Sequence, residues 1–297
     1  MRGIETRGAD RRNKSKGMNR NFLSEILAEK RQVVSRLRCD SFARRFRERA
    51  LEIRKNTAPH RLLRALKADL PRLKIIAEFK RKSPSAGSIR DDLSAGDFAR
   101  RYERGGACAI SVLTDEEYFG GSLEDLSAAR SSARLPVLRK DFIIDPIQIY
   151  ETAITGADAV LLIVAALDDA LLGRLREVAE DELGLDALVE VHTSDELRRA
   201  LDAAAKIIGV NNRDLKTFQV SLNASERLIA EAPPDSMMIS ESGLQSAESL
   251  CRLRNLGFRG FLIGGVLMRA ADPETALRDL IAAAEDRQVT STGTCQS

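Results

Sequence analysis

From Ile75 onward, short apolar runs alternate with longer stretches in which apolar residues recur every three or four positions. The runs are Ile75–Lys80, Ala107–Leu113, Pro136–Lys140, Ala159–Val164, Ala187–Val191, Lys206–Asn211, Ser236–Glu241 and Gly260–Gly264. They have strand length, and the spacing of about 20–30 residues is what a strand, a helix and two loops require. The helical stretches are Ala95–Gly105, Leu123–Ala133, Pro146–Thr155, Asp168–Leu183, Ser194–Ala204, Ala224–Ala232, Ala247–Leu256 and Pro273–Ala284. Gly105 and Gly156 close two of them, as helix C-caps should. Eight such units predict an α/β protein, a closed (β/α)8 TIM barrel of ~250 residues. An open doubly wound sheet needs a GxGxxG after an early strand, and none follows Ile75–Lys80.

Ahead of the first strand the pattern is helical only, which adds an N-terminal helical segment to the barrel. Met18 opens a stretch in which Phe22, Ile26, Val33 and Leu37 recur at about helical spacing, with charges between them. Phe42–Lys55 and Pro59–Asp69 predict two more helices. Residues 1–17 hold six basic and two acidic side chains with no hydrophobic period, so a disordered basic tail is expected there. A single domain spanning 18–285 follows, with its extra helices in 18–70, and the polar residues 286–297 are expected to be a second disordered tail.

Composition removes several functional classes. With 43% hydrophobic and 31% charged residues, the chain can build a packed core and is not wholesale disordered. Its 47 Lys and Arg against 44 Asp and Glu leave a net charge of +3, too little for a dedicated nucleic-acid binder. The absence of Trp leaves few platforms for stacking bases. Cys39, Cys108, Cys251 and Cys295 form no CxxC, so neither a disulfide framework nor a zinc site is expected, and a reducing compartment fits. The longest apolar run, Ala159–Leu167, falls far short of the ~20 residues of a membrane span, and the basic N-terminus lacks the apolar core of a secretory signal. A cytoplasmic monomer acting on a small molecule, with no nucleic acid or membrane partner, is the expectation.

Active sites of (β/α)8 barrels lie at the C-terminal ends of the strands. The first run ends in Glu78-Phe79-Lys80, and alternation places Glu78 and Lys80 on one face, toward the barrel mouth. Lys140, Glu190, Asn211 and Glu241 stand at the same end of four other strands. Each polar group inside a barrel costs desolvation unless paired. One alone reads as a satisfied ion pair or a rim residue; five strands converging on one mouth read as acid–base chemistry. Glycines follow the last two strands, in Glu241-Ser242-Gly243 and Gly264-Gly265, where this fold commonly binds phosphate through bare backbone N–H groups. Ser83-Pro84-Ser85 adds hydroxyls after the first strand. His60 reads as a surface histidine and His192 as a structural one; they make no metal-ligand spacing. The basic stretch Arg44–Arg54 reads as a solvated helix face and Cys108 as core.

The strings IIAEFKRKSPSAG, SVLTDEEYFGGSLEDL, VLRKDFIID, ADAVLLIV, LVEVH, IIGVNNRDL, ISESG and FLIGGVLM, in this order, strongly resemble indole-3-glycerol phosphate synthase, from about Met18 to Leu280. The resemblance implies decarboxylating ring closure of 1-(2-carboxyphenylamino)-1-deoxyribulose 5-phosphate, with no cofactor or metal. It implies catalytic roles for Glu78, Lys80, Lys140, Glu190, Asn211, Glu241 and Ser242. Phe119, Phe142 and Leu161 are implied as the lining for the aromatic ring. Ser83, Arg213, Gly243, Gly264 and Gly265 complete the implied substrate-binding set, with Ser83 and the three glycines at the phosphate. Lys140 is the implied general acid at the ketone; Glu190 and Glu78 are candidates for the dehydration step, and Lys80 for an acid or a phosphate anchor. His192 stands where some members carry Asn, and Gly265 where some carry Ser. Two other readings are a phosphoribosylanthranilate isomerase, which wants a Cys/Asp pair at strand ends, and a non-catalytic barrel, which should have lost a catalytic charge.

Overall fold

The computed structural model describes residues 22–38, 40–69, 72–84, 87–90, 92–214 and 219–293. The tail expected over residues 1–17, the start at Met18, and Ser85 lie outside them. Eight parallel strands close into a barrel: β1 Ile75–Phe79, β2 Ala109–Leu113, β3 Val137–Lys140, β4 Ala159–Ile163, β5 Asp186–Val191, β6 Ile207–Asn211, β7 Met237–Glu241 and β8 Gly260–Ile263. The barrel closes where Ile75, Ile76 and Ala77 of β1 pair with Phe261, Leu262 and Ile263 of β8. The helices are α1 Phe22–Leu37, α2 Asp40–Arg54, α3 Arg61–Lys67, α4 Ala95–Gly105, α5 Glu116–Phe119, α6 Leu123–Ser132, α7 Pro146–Thr155, α8 Asp169–Glu177, α9 Ser194–Asp202, α10 Asn223–Glu231, α11 Ala247–Leu256, α12 Gly265–Arg269 and α13 Pro273–Gly293. Among the described residues no helix is long and apolar enough to cross a membrane.

Strand alternation divides the apolar residues into two cores. Ile75, Ala77 and Phe79 of β1 point outward and pack in the layer between sheet and helices with Phe98, Tyr102 and Leu126. Ile76 points inward and packs with Leu138, Leu161, Leu188, Ile207, Ile239 and Leu262 in the lumen. Of the extra helices, α1 and α3 belong to the inner core, while Ala50 of α2 packs in the outer layer. Leu62 and Leu66 of α3 close one end of the barrel, and Ile26 and Leu27 of α1 join the same cluster. At the closed end the buried Asp186 carboxylate accepts the Leu62 and Leu63 backbone N–H groups at 2.8 and 3.0 Å.

Several expectations need correction. His60 is not a free surface histidine: it is half-buried, in left-handed backbone at φ 51°, with Nδ1 3.2 Å from Asp186 Oδ1. Arg54 is buried, and its guanidinium caps the Leu183 and Gly184 carbonyls at 2.9 and 3.0 Å, so the basic face of α2 is not wholly solvated. The cap of α4 is Gly106 at φ 95°, because only the second glycine adopts the left-handed turn; Gly156 at φ 92° caps α7 as expected. The helix expected over Asp168–Leu183 ends in a π turn, Val178–Glu182, that buries Glu180 against Arg176 and Lys206 at 3.3 and 3.0 Å. The tail expected from residue 286 is helical through Gly293. Elongating a nucleated helix adds a bond per residue, and Gly293 is the first helix breaker after Pro273.

Candidate active site

Every residue expected at the mouth lines one cavity there. These are the charged set Glu78, Lys80, Lys140, Glu190 and Glu241, the polar Asn211, Ser83 and Ser242, the apolar Phe119, Phe142 and Leu161, together with Arg213, Gly243, Gly264 and Gly265. Lys140 is the hub. Its Nζ lies 3.2 Å from Glu190 Oε2 and 3.4 Å from Glu241 Oε2. Lys80 Nζ donates to Glu78 Oε1 at 2.5 Å.

Electrostatics sorts these groups. Burial opposes the Lys140 charge, but Glu190, Glu241 and Glu78 outweigh it and hold the ammonium far above the usual lysine range. Burial alone would raise Glu78; Lys80 and Lys140 overcome it and keep that carboxyl below its ordinary value. Glu190 is likewise held low against its burial by Lys140, His192 and the Asn211 amide. Glu241 goes the other way. Burial, then repulsion from Glu190 and Glu78, outweighs Lys140 and raises it to about 7. Neither of its oxygens has a hydrogen bond from a described residue. The mouth therefore holds two firm carboxylates, one firm ammonium and one carboxyl poised to exchange a proton near neutrality.

The other wall is apolar. Phe119 and Phe142 lie with ring centroids 6.4 Å apart, and Leu161 rises from the lumen. Phe22, Leu23 and Ile26 of α1 extend this wall, so the N-terminal helix covers part of the mouth. Its buried stripe is not the expected one. Ile26, Leu27 and Val34 are buried, whereas Val33 is 40% exposed. The position between them is Lys30, whose Nζ reaches Asp115 Oδ2 at 2.9 Å and Asp141 Oδ1 at 2.7 Å. Asp141 directly follows Lys140, so this ion pair ties the covering helix to the strand end that carries the hub. Lys30→Ala leaves two buried carboxylates short of a cation. We expect a loss of about 3 kcal/mol, the low end for a broken buried pair because Arg139 still holds Asp141 at 3.0 Å. KM should rise with it; denaturant melts and substrate titration read the two effects.

The glycines have more than one task. Gly243, at φ 77°, follows Ser242 at φ 65°, so the turn after β7 places two successive residues in left-handed backbone. A non-glycine residue in that region is a mark of functional sites. Asn212, buried beside Asn211, holds this turn: its Nδ2 donates to Ser240 Oγ at 3.0 Å, the Glu241 carbonyl at 3.0 Å and the Ser242 carbonyl at 3.2 Å. Gly264 corrects a purely phosphate reading, since a Cβ there would stand 2.6 Å from Glu78 Oε1. Its smallness makes room for a carboxylate. Arg269, an exposed cation on the same wall as Gly265, also lines the cavity and carries no signal in the sequence pattern. Cys108 precedes β2, at the end of the barrel opposite the mouth, and burial pushes its thiol up to about 12. The acid–base pair of the isomerase reading is therefore missing among the described residues. No group of three or more His, Cys, Asp or Glu among them is placed to hold a metal ion.

A barrel whose mouth combines a caged ammonium, buried carboxylates and an aromatic wall belongs to the acid–base class of (β/α)8 enzymes. The model of the family described as indole-3-glycerol phosphate synthase matches residues 23–280, and the chain belongs to that family. An indole-3-glycerol phosphate synthase from Syntrophobacter fumaroxidans is 46% identical over 266 residues, covering 89% of this chain and 98% of the relative. One from Koribacter versatilis is 51% identical over 207 residues, covering 70% and 79%. Among solved structures, a thiamine phosphate pyrophosphorylase from Pyrococcus furiosus shares the fold with a TM-score of 0.54 at 15% identity, covering 72% of this chain and 96% of that one.

Proposed function

We propose that this chain converts 1-(2-carboxyphenylamino)-1-deoxyribulose 5-phosphate into indole-3-glycerol phosphate, carbon dioxide and water, the ring-closing step of tryptophan biosynthesis. The observation that carries the reading is the Lys140 ammonium, caged by Glu190 and Glu241, facing an aromatic wall in one cavity of a chain of this family.

The chemistry follows from the groups. The ring seats against Phe119, Phe142 and Leu161. Its carboxyl-bearing carbon attacks the ketone, and Lys140 gives a proton to the ketone oxygen as the carbon–carbon bond forms. The positive charge left on the ring nitrogen system is stabilised by the firm carboxylates Glu78 and Glu190. Carbon dioxide leaves, and its bonding pair neutralises that charge. Loss of water completes the ring: an acid protonates the new hydroxyl, and a base takes the proton from the adjacent carbon. Glu241, poised near neutrality, suits the donor, and Glu190 the acceptor. Lys80, Ser83, Arg213, Arg269 and the turns at Gly243 and Gly264-Gly265 supply cations, a hydroxyl and close backbone for the phosphate. Asn211 and Ser242 orient the sugar hydroxyls and the carboxylate.

We infer that the protein works without cofactor or metal, as a cytoplasmic monomer on a soluble phosphorylated substrate. Two arguments support this: one chain supplies every wall of the mouth, and a phosphate ester is retained inside the cell. The test is direct. Adding the substrate to purified chain should release the fluorescent indole product with one carbon dioxide each; a substrate left unconsumed overturns the reading.

A further inference from the structure

His192 is the first residue after β5 and directly precedes Thr193, the N-cap of α9. Its ring stands between two carboxylates. Nδ1 lies 3.2 Å from Glu196 Oε2, the same oxygen that accepts the His192 backbone N–H at 2.7 Å. Nε2 lies 3.6 Å from Glu190 Oε1. That nitrogen is buried and has no hydrogen-bond partner among the described residues. The other oxygen of Glu190, Oε2, faces Lys140.

A neutral imidazole cannot satisfy this arrangement. An ionised carboxylate only accepts, so the nitrogen beside Glu196 must carry hydrogen. Nε2 of a neutral ring would then aim a lone pair at Glu190 Oε1. A second proton turns that repulsion into a charge-assisted contact. We propose that His192 is a positioning residue of the active site: an imidazolium wedged between Glu196 and Glu190 that fixes Oε1 of Glu190 and leaves Oε2 to Lys140 and the substrate. The proposal rests on the reading of Glu190 as a catalytic carboxylate.

The surrounding charges agree. Glu190 on β5, Glu196 on α9 and Glu241 on β7 favour the cation, outweighing burial, and raise His192 above the usual histidine value. Lys140 on β3 lies beyond Glu190, and Arg227 on α10 touches the ring's residue only at its carbonyl, at 3.4 Å. An imidazolium 3.6 Å from Glu190 helps keep that carboxyl ionised, which a base needs.

The chain has only two histidines, so an NMR titration shows two imidazoles, and His60→Gln assigns them. One is expected to titrate above the ordinary midpoint of about 6.5 and to lose that displacement in Glu196→Gln. An ordinary midpoint for both histidines overturns the proposal, and this readout needs no substrate. Kinetics adds the second arm. His192→Asn should move the acidic limb of the kcat profile up by about one pH unit, because Glu190 loses a cation, with KM little changed. A limb that stays in place, with KM raised instead, would make His192 a substrate contact. If the parent chain shows no turnover, the proposed function fails while the titration still decides the state of His192.

Discussion

Lys140→Met should lower kcat by ~10²–10⁴ while changing substrate affinity much less. Methionine keeps the stem and packing of the side chain but removes its charge. In the native mouth the ammonium serves the ketone oxygen, and it also compensates Glu190 at 3.2 Å and Glu241 at 3.4 Å. Without it, burial of Glu190 is opposed by His192 and the Asn211 amide, and the carboxyls of Glu190 and Glu241 rise. The sign for stability follows. An acid raised above its ordinary value of 4.5 is favoured in its neutral form by the fold, so it contributes stability at low pH and loses it as pH rises. The variant's deficit in melting temperature should therefore be small near pH 4.5 and grow toward neutrality. Stopped-flow fluorescence and melts across that range check both parts. Near-normal turnover would remove Lys140 from the role of general acid.

How much of this was legible in the sequence depends on what each residue's neighbours can betray. Strand alternation is a local property. It put Glu78 and Lys80 on one face and Asn211 and Glu241 at strand ends, and one cavity gathers them. The Lys30 ion pair stayed hidden for the converse reason. A lysine among apolar helix positions looks solvated, and only the folded chain shows Asp115 and Asp141, more than eighty residues away, arriving beneath it. His60 and Arg54 were missed in the same way, since Asp186 and the carbonyls after the π turn reach them across the barrel floor. Glycines were legible only where a turn demanded them. Gly209 and Gly264 are small because of a side chain on the neighbouring strand, and no local pattern records that.

Gly209 carries the largest consequence of such a constraint. It lies mid-strand on β6, facing the lumen, and its backbone is not left-handed, so alanine meets no conformational obstacle there. By strand propensity alone, Gly209→Ala should be neutral or slightly stabilising. The obstacle is Glu241. Its side chain leans from β7 over the glycine, and an added Cβ would stand 2.0 Å from Oε1. The carboxyl must then swing away, toward Lys140 and Glu190, in a cage where both carboxylates already lie within 3.4 Å of the ammonium. A displacement of about 1 Å in a catalytic group costs on the order of 10²-fold in rate, and we expect a loss of that size in kcat with KM near its normal value. Moving Glu241 also moves the group that titrates near 7, so the kcat profile should change shape as well as height. A second measurement separates this from general damage to the core. The same alanine should cost no stability in a Glu241→Ala background, where the oxygen it collides with is gone. An equal cost in both backgrounds would assign the strain to Leu188, whose Cδ1 would lie 3.2 Å from the new Cβ, and would end the claim that Gly209 exists to seat this carboxylate.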